Sequence, residues 1–326
     1  MPKILIIRFS SIGDIVLTTP IIRCVKQQVK DAEVHYLTKK NFSDILKGNP
    51  YIDKIHTIEK NVSEIISELR KENFDFIVDL HHNLRSHIVK WLLFYFPLFR
   101  KGIGKGFRKL NIEKWLMVNF KINRLPDMHI VDRYFETVKS FGVMNDGKGL
   151  DYFIPKEDEV NISFLPEIFR NGYIGFVIGA KYQTKQLPLE KIISICKKIN
   201  KPIILLGGKE AIIPISNLCY NACGKFNINQ SASFVRQAKK IITHDTGLMH
   251  IAAAFKKEII SVWGNTIPEF GMYPYYGKSQ ITNHKSQITN LKCRPCTKLG
   301  FAKCPKEHFK CMNEIDEEEI VLRSLF

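Results

Sequence analysis

Lys3-Ile4-Leu5-Ile6-Ile7-Arg8-Phe9 runs directly into Ser10-Ser11-Ile12-Gly13-Asp14 at the start of the chain, and this junction decides the fold. Lys3–Phe9 is a short, unbroken, β-branched-rich apolar run of the kind buried in parallel sheets, where both faces are covered. A helical pattern follows from Asp14 to Val29 and puts Ile15, Thr18, Ile22 and Val25 on one face. Working outward, Glu33–Leu37, Lys54–Ile58 and Phe74–Leu80 read as further strands, with helical stretches at Phe42–Lys47, Val62–Lys71 and His129–Phe141. The alternation restarts at the strand Tyr173–Ile178. It continues through Pro202–Leu206, Lys240–Thr243 and Glu258–Trp263, with a helix at Leu189–Ile199 behind Pro188. Between the halves, Pro155 to Asn171 is polar, holds two prolines and reads as a linker. The pattern predicts an α/β chain of two Rossmann-like domains, 1–160 and 161–326. Its ligand cleft is expected between them, lined by loops at the carboxyl ends of strands.

Composition agrees with two ordinary cores. The chain has 326 residues, and roughly 150 residues per domain is the usual prior. Apolar residues at 45% and charged residues at 25% exclude a disordered or collagen-like chain. The apolar runs fall short of the about 20 residues a spanning helix needs. The longest, Trp91–Phe99, stops at Arg100-Lys101. The N-terminus lacks the order of a signal peptide, so cytoplasmic residence is expected, and the eight cysteines read as thiols or metal ligands rather than disulfides. A net charge of +17, from 49 basic and 32 acidic residues, calls for an acidic partner: nucleic acid, a phosphorylated substrate or an anionic membrane face. The hexapeptide KSQITN occurs at Lys278–Asn283 and again at Lys285–Asn290, and reads as a duplicated surface loop.

Chemistry concentrates at strand ends. Ser10–Asp14 is a small-residue turn opening a helix, suited to an anion or a sugar hydroxyl but matching neither a dinucleotide fingerprint nor a Walker A loop. Asp14 reads either as a complement to the helix dipole or as a general base kept ionised by that dipole. Thr243-His244-Asp245-Thr246-Gly247-Leu248-Met249-His250 follows another strand. Asp245 and Thr246 are placed to cap the helix, Gly247 admits a ligand to the backbone, and His250 lies one turn in. Amides, a positive dipole end and an imidazole suit a diphosphate; a plain cap with a core histidine is the alternative. Lys181 and Lys185, in the loop Gly179–Lys185, can meet phosphate, and Glu210, after Gly207-Gly208-Lys209, can accept from ribose hydroxyls.

These motifs together resemble glycosyltransferase family 9, the ADP-heptose:lipopolysaccharide heptosyltransferases. The resemblance rests on SSIGDIVLTTP, DLHHNLRS, GAKYQTKQLP and HDTGLMHIAAA followed by WGNTIP, and covers nearly the whole chain. It implies a GT-B fold with its two domains facing each other across a cleft, inversion at the anomeric carbon, no cofactor and no catalytic metal. By the same resemblance Asp14 is the base, Lys185 contacts diphosphate, and Thr246, Gly247 and His250 bind the donor, with Lys181, Glu210 and Asp245 beside them. Lys181 stands where the family often has a small hydroxyl residue. The implied partners are an ADP-sugar donor and a phosphorylated lipid A–core acceptor reached by peripheral contact with the inner membrane.

On the acceptor side, Ser11, Gly13, Asn83 and Arg85 are the candidates, and Asp79 reads equally as a helix cap. The apolar run Trp91–Phe99 joined to Arg100, Lys101, Lys105, Arg108, Lys109 and Lys114 suits an anionic membrane surface, or else a buried helix with a solvated basic loop. Cys293, Cys296, Cys304 and Cys311 form C-x2-C-x7-C-x6-C; they read as reduced structural cysteines or as ligands of a structural Zn²⁺. Two rival functions remain: a sugar-nucleotide epimerase of the same architecture, and a basic nucleic-acid binder, for which no RNP, KH or zinc-finger framework is present.

Overall fold

Ile4 to Ile7 are fully buried, as a strand covered on both faces requires. They belong to β1 (Lys3–Ile7), the centre of a five-stranded sheet with β2 (Glu33–Lys39), β3 (Lys54–Ile58), β4 (Phe76–Asp79) and β5 (Ile103–Gly106). The order is β3-β2-β1-β4-β5 and every pairing is parallel. The computed structural model describes residues 1–94, 103–208, 217–278 and 284–325. A second, six-stranded sheet holds β6 (Ile174–Val177), β7 (Ile203–Leu206), β8 (Cys219–Asn221), β9 (Lys240–His244), β10 (Glu258–Trp263) and β11 (His284–Ile288). Its order is β11-β10-β9-β6-β7-β8, again all parallel.

Each sheet anchors its own compact unit. The first comprises Met1–Lys109 and Met128–Phe153 with Gly277 and Lys278; the second comprises Leu110–Asp127, Ile154–Tyr276 and the described residues beyond Lys278. The chain therefore changes unit at Phe153, ahead of the expected 160, and the helix Asn111–Phe120 belongs to the second body although it lies in the N-terminal half. Lys114 Nζ sits over the Phe270 ring at 5.4 Å, and Lys121 Nζ donates to Pro295 O at 2.7 Å. These contacts bind the helix to its unit.

In both sheets the strand order reverses beside the strand that comes first in the chain. The first sheet runs from β1 to β2 and β3 on one side and resumes with β4 on the other; the second does the same with β6, β7, β8 and β9. Such switch points leave a crevice at the carboxyl strand ends, where α/β proteins bind ligands.

Several expectations need correction. The helix expected at Asp14–Val29 is two helices, Ile12–Val16 and Thr19–Gln28. Thr18 Oγ1 donates back to Ile15 O at 2.7 Å, and Pro20 cannot supply an N–H to a continuous helix. Phe42–Lys47 is covered by a 3₁₀ segment, Lys40–Leu46. The second KSQITN copy is not a surface loop but the edge strand β11, whose His284 Nε2 pairs with Ser261 Oγ at 2.6 Å; the first copy lies mostly outside the described residues. The edge strands β5 and β8 are short and weakly patterned, so apolar periodicity passed over them. No helix among the described residues is long and apolar enough to cross a membrane.

Candidate active site

At the switch point of the first sheet, Arg8 leaves β1 and turns back under it. Its Nε donates to Ser10 O at 2.8 Å, Nη1 to Leu80 O at 2.5 Å beyond β4, and Nη2 meets Asp14 Oδ1 at 2.6 Å. Ser11 Oγ donates to Asp14 Oδ2 at 2.7 Å, and the Ser11 N–H does so at 3.2 Å. Burial works to raise the Asp14 pKa, yet the Arg8 guanidinium and the Ser11 donors outweigh it and hold the carboxyl below its usual range. Asp14 is thus an ionised carboxylate fixed at both oxygens. Oδ1, with one bond made to Arg8, keeps a lone pair for a further donor.

Beside it, burial and then Arg8 push His81 down to about 4, so the ring is neutral; its Nδ1 is buried without a hydrogen-bond partner. Gly13 is buried in the helix that Asp14 enters. Asn83 Oδ1 accepts from Ser86 N at 3.0 Å and serves as a local cap, whereas Arg85 is exposed. Asp79 is structural: its carboxylate accepts from His81 N and His82 N, Ser86 Oγ and Lys90 Nζ.

The switch point of the second sheet lies between β6 and β9. Lys185, in the loop after β6, meets Asp245, just after β9, at 2.5 Å. Thr266 Oγ1, beyond β10, donates to the same Asp245 oxygen at 2.9 Å. Three strand ends therefore meet on one carboxylate. The approach is close because glycines permit it: a Cβ on Gly264 would stand 2.2 Å from Thr184 O, and one on Gly179 would stand 3.1 Å from Gly207 Cα.

The helix Gly247–Ala254 begins beside this cluster. The side-chain cap expected from Asp245 and Thr246 does not form, because Asp245 is engaged by Lys185 and Thr266. Among the described residues no side chain caps this helix start, and such open amides are what helix N-termini offer to anions. His250 is buried within the helix. Lys181 is exposed, with its ammonium 5.4 Å from the Tyr182 ring. Glu210 lies outside the described residues, as do Tyr95–Phe99, Arg100 and Lys101 of the basic apolar stretch.

Three residues were not singled out from the sequence. Arg8 interrupts an otherwise apolar strand, and that interruption was its signal. His244 is fully buried, and its Nε2 accepts from Leu187 N at 3.0 Å, which puts the ring proton on Nδ1 and ties the Lys185 loop to the end of β9. Asn265 is 2% exposed with both side-chain amide atoms unpartnered, although its backbone N–H reaches Thr184 O at 3.3 Å. Native folds rarely bury an amide that makes no bond, which sets Asn265 apart among the described residues.

Two all-parallel α/β units, each with a polar cluster at its switch point, are the architecture of GT-B-type proteins. Residues 62–300 match the model of glycosyltransferase family 9 (heptosyltransferase), and the chain belongs to that family. It is similar to lipopolysaccharide heptosyltransferase 1 of Campylobacter coli, 28% identical over 98% of this chain and 97% of that one. Among solved structures it resembles a family 9 glycosyltransferase from Veillonella parvula, with TM-score 0.72, 20% identity and coverage of 99% and 96%. It also resembles E. coli heptosyltransferase WaaC with ADP, with TM-score 0.66, 18% identity and coverage of 98% of each chain. The chain is therefore a glycosyltransferase, and the epimerase reading is not favoured.

Proposed function

We propose that the enzyme transfers a heptose from ADP-heptose to a lipopolysaccharide-core acceptor, with inversion and without a catalytic metal. The observation that carries this reading is the uncapped helix start at Gly247 beside the Lys185–Asp245 pair. Lys185 spends one N–H on Asp245, which aims the ammonium and leaves two donors for a diphosphate; the helix amides supply more. Negative charge grows on that diphosphate as the glycosidic bond breaks, so donors fixed in advance act mainly in the transition state. Thr246, Gly247 and His250 complete the phosphate side, with Lys181 beyond them, and the resemblance assigns Glu210 to the nucleoside. Relatives named for this transfer, and a related fold holding ADP, support the donor.

Asp14 takes the proton of the attacking acceptor hydroxyl through the spare lone pair on Oδ1. A carboxylate held low by Arg8 is a weak base, and it suffices because the hydroxyl becomes acidic only as its oxygen bonds to the anomeric carbon. Ser11 and Gly13, after β1, and Asn83 and Arg85, after β4, follow the ends of two paired strands and are assigned to the acceptor. Contact with an anionic membrane fits the helix Asn111–Phe120, where Ile112, Trp115 and Phe120 are each more than half exposed and Lys114, Lys121 and Arg124 are adjacent. The test is transfer by purified enzyme from ADP-heptose to a lipid A–Kdo acceptor, read as product mass and anomeric configuration. No transfer, or isomerised donor in the absence of acceptor, overturns it. Sedimentation with anionic vesicles, wild type against Trp115→Ser/Phe120→Ser, checks the membrane part.

A further inference from the structure

Cys293, Cys296, Cys304 and Cys311 do not bring three sulfurs together among the described residues, whereas His35, His56 and Glu72 bring three polar atoms within 4.8 Å of one another. These lie toward the amino ends of β2 and β3, at the opposite end of the sheet from Asp14. His35 Nε2 meets Glu33 Oε1 at 2.7 Å, His35 Nδ1 meets His56 Nε2 at 2.9 Å, and His56 Nδ1 meets Glu68 Oε1 at 2.8 Å. Lys54 bridges Glu68 at 3.4 Å and Glu72 at 2.6 Å, while Lys3 bridges Glu72 at 3.0 Å and Glu33 at 3.4 Å. Seven side chains from β1, β2, β3 and the helix Ile66–Glu72 thus close a ring. Both imidazoles are buried, with Phe74 edge-on to them at 5.1 and 6.2 Å.

Two neutral imidazoles cannot satisfy this ring. An ionised carboxylate only accepts, so the outer nitrogens, His35 Nε2 and His56 Nδ1, are both N–H donors. Bonds to Lys54 and Lys3 hold Glu72 down to about 2, and the bond to His35 leads in lowering Glu33. A neutral imidazole carries one proton. With both protons facing outward, the inner nitrogens would oppose each other at 2.9 Å as two lone pairs, where burial admits no other donor. One further proton turns that contact into an N–H···N bond. Charge agrees: three carboxylates against two ammoniums leave one negative charge, which a single imidazolium cancels. Of the other charges nearby, Asp53 is paired with Lys26 at 2.6 Å and Asp75 accepts the Lys3 backbone N–H at 2.8 Å. Burial, helped by His35 and Lys54, lowers His56 in spite of its bond to Glu68, so the pair takes one added proton and refuses a second.

We propose that His35 and His56 hold one added proton between them at neutral pH, and that its loss in mild alkali unlocks the β2–β3 edge of the first unit. In the unfolded chain each ring has the ordinary histidine value of about 6.5 and is mostly neutral above about pH 7. The folded pair binds one proton more, so it favours the folded state increasingly as pH falls. Its stabilisation is fully present below about pH 6.5 and is lost as pH rises through the value at which the pair lets the proton go. Loss of the proton leaves two lone pairs opposed across adjacent strands, where β2 and β3 pair from His35 with Lys54 to Lys39 with Ile58.

The test is urea unfolding of the full chain from about pH 6.5 to about pH 8.5, wild type against Glu68→Gln. The introduced amide donates to His56 Nδ1, His56 Nε2–H then donates to His35 Nδ1, and the ring closes with neutral imidazoles. Relative to the variant, the wild-type unfolding constant should rise about tenfold per pH unit until the proton leaves. Profiles that stay parallel within about twofold overturn the proposal. Should Glu68→Gln fail to fold, Glu33→Gln applies the same logic from the other end of the chain of bonds. Nitrogen-15 histidine spectra at about pH 7.5 give the proton count directly: three of the pair's four ring nitrogens protonated in wild type, two in the variant. Two in wild type overturns the proposal. So does about one bound metal ion per chain that His35→Asn/His56→Asn removes, for an ion would then stand where the proton is placed.

Discussion

Lowering the pH should loosen the second unit through one buried ring, His244. Its Nε2 accepts the Leu187 N–H, and an imidazolium cannot accept, so protonation breaks the bond and leaves a buried amide unpaired. Burial pushes His244 from 6.5 down to about 4. The folded state therefore favours the neutral ring. The associated stability is fully present above about pH 6.5 and is lost as pH falls toward 4. Complete protonation corresponds to about 2.5 pH units at about 1.4 kcal/mol each, or about 3.4 kcal/mol. Between pH 7.5 and pH 5 the linkage relation gives a loss of about 2 kcal/mol. Urea unfolding of wild type and His244→Gln at both pH values measures it, since glutamine supplies an acceptor that does not titrate. Burial also lowers His56, His81 and His284, but those rings are common to both proteins and cancel. The acid loss should be about 2 kcal/mol smaller in the variant. Equal losses within about 0.5 kcal/mol would refute the assignment of Nε2 as the acceptor.

Asp14→Asn should cut turnover roughly 10²–10⁴-fold while the donor Kd holds, because an amide cannot take the acceptor proton; turnover near wild type would leave Asp14 as a partner for Arg8 alone. Lys185→Ala should cost about 3–4 kcal/mol in the transition state, visible in kcat as well as KM, and should weaken ADP more than adenosine in calorimetry. ADP bound as before would place the diphosphate elsewhere. Asn265→Ala should raise the donor KM several-fold with Tm unchanged or higher, since the amide makes no bond within the described fold. A lower Tm with KM unchanged would make it a packing residue.

How much of this was legible in sequence follows from what sequence patterns encode. Apolar runs located β1, β6, β9 and β10, because burial on both faces leaves no room for polar residues. The edge strands were less visible: β11 carries His-Lys-Ser-Gln-Ile, which half-solvated pairing tolerates. At the site, spacing put Lys185 and Asp245 at neighbouring strand ends but could not show that the carboxylate would be spent on the lysine rather than on the helix cap. Likewise, the turn that holds Asp14 was legible, whereas Arg8 showed only as an interruption of an apolar run, with nothing to say that it would reach Leu80 O beyond β4. A hydrogen bond across a sheet is set by register, and register is not written in local sequence.

The helix Asn111–Phe120 has a consequence for how this enzyme can be divided and recombined. It is encoded amid first-unit residues but folds with the second, where Lys121 reaches Pro295 and Lys114 covers Phe270. A fragment starting at Ile154 therefore lacks a piece of its own surface. A chimera with a related enzyme joined at Phe153 would marry one parent's helix to the other parent's body. Inheritance works cleanly only if residues 110–127 travel with the C-terminal half, so the natural seam of the protein is one of contacts and not of chain order.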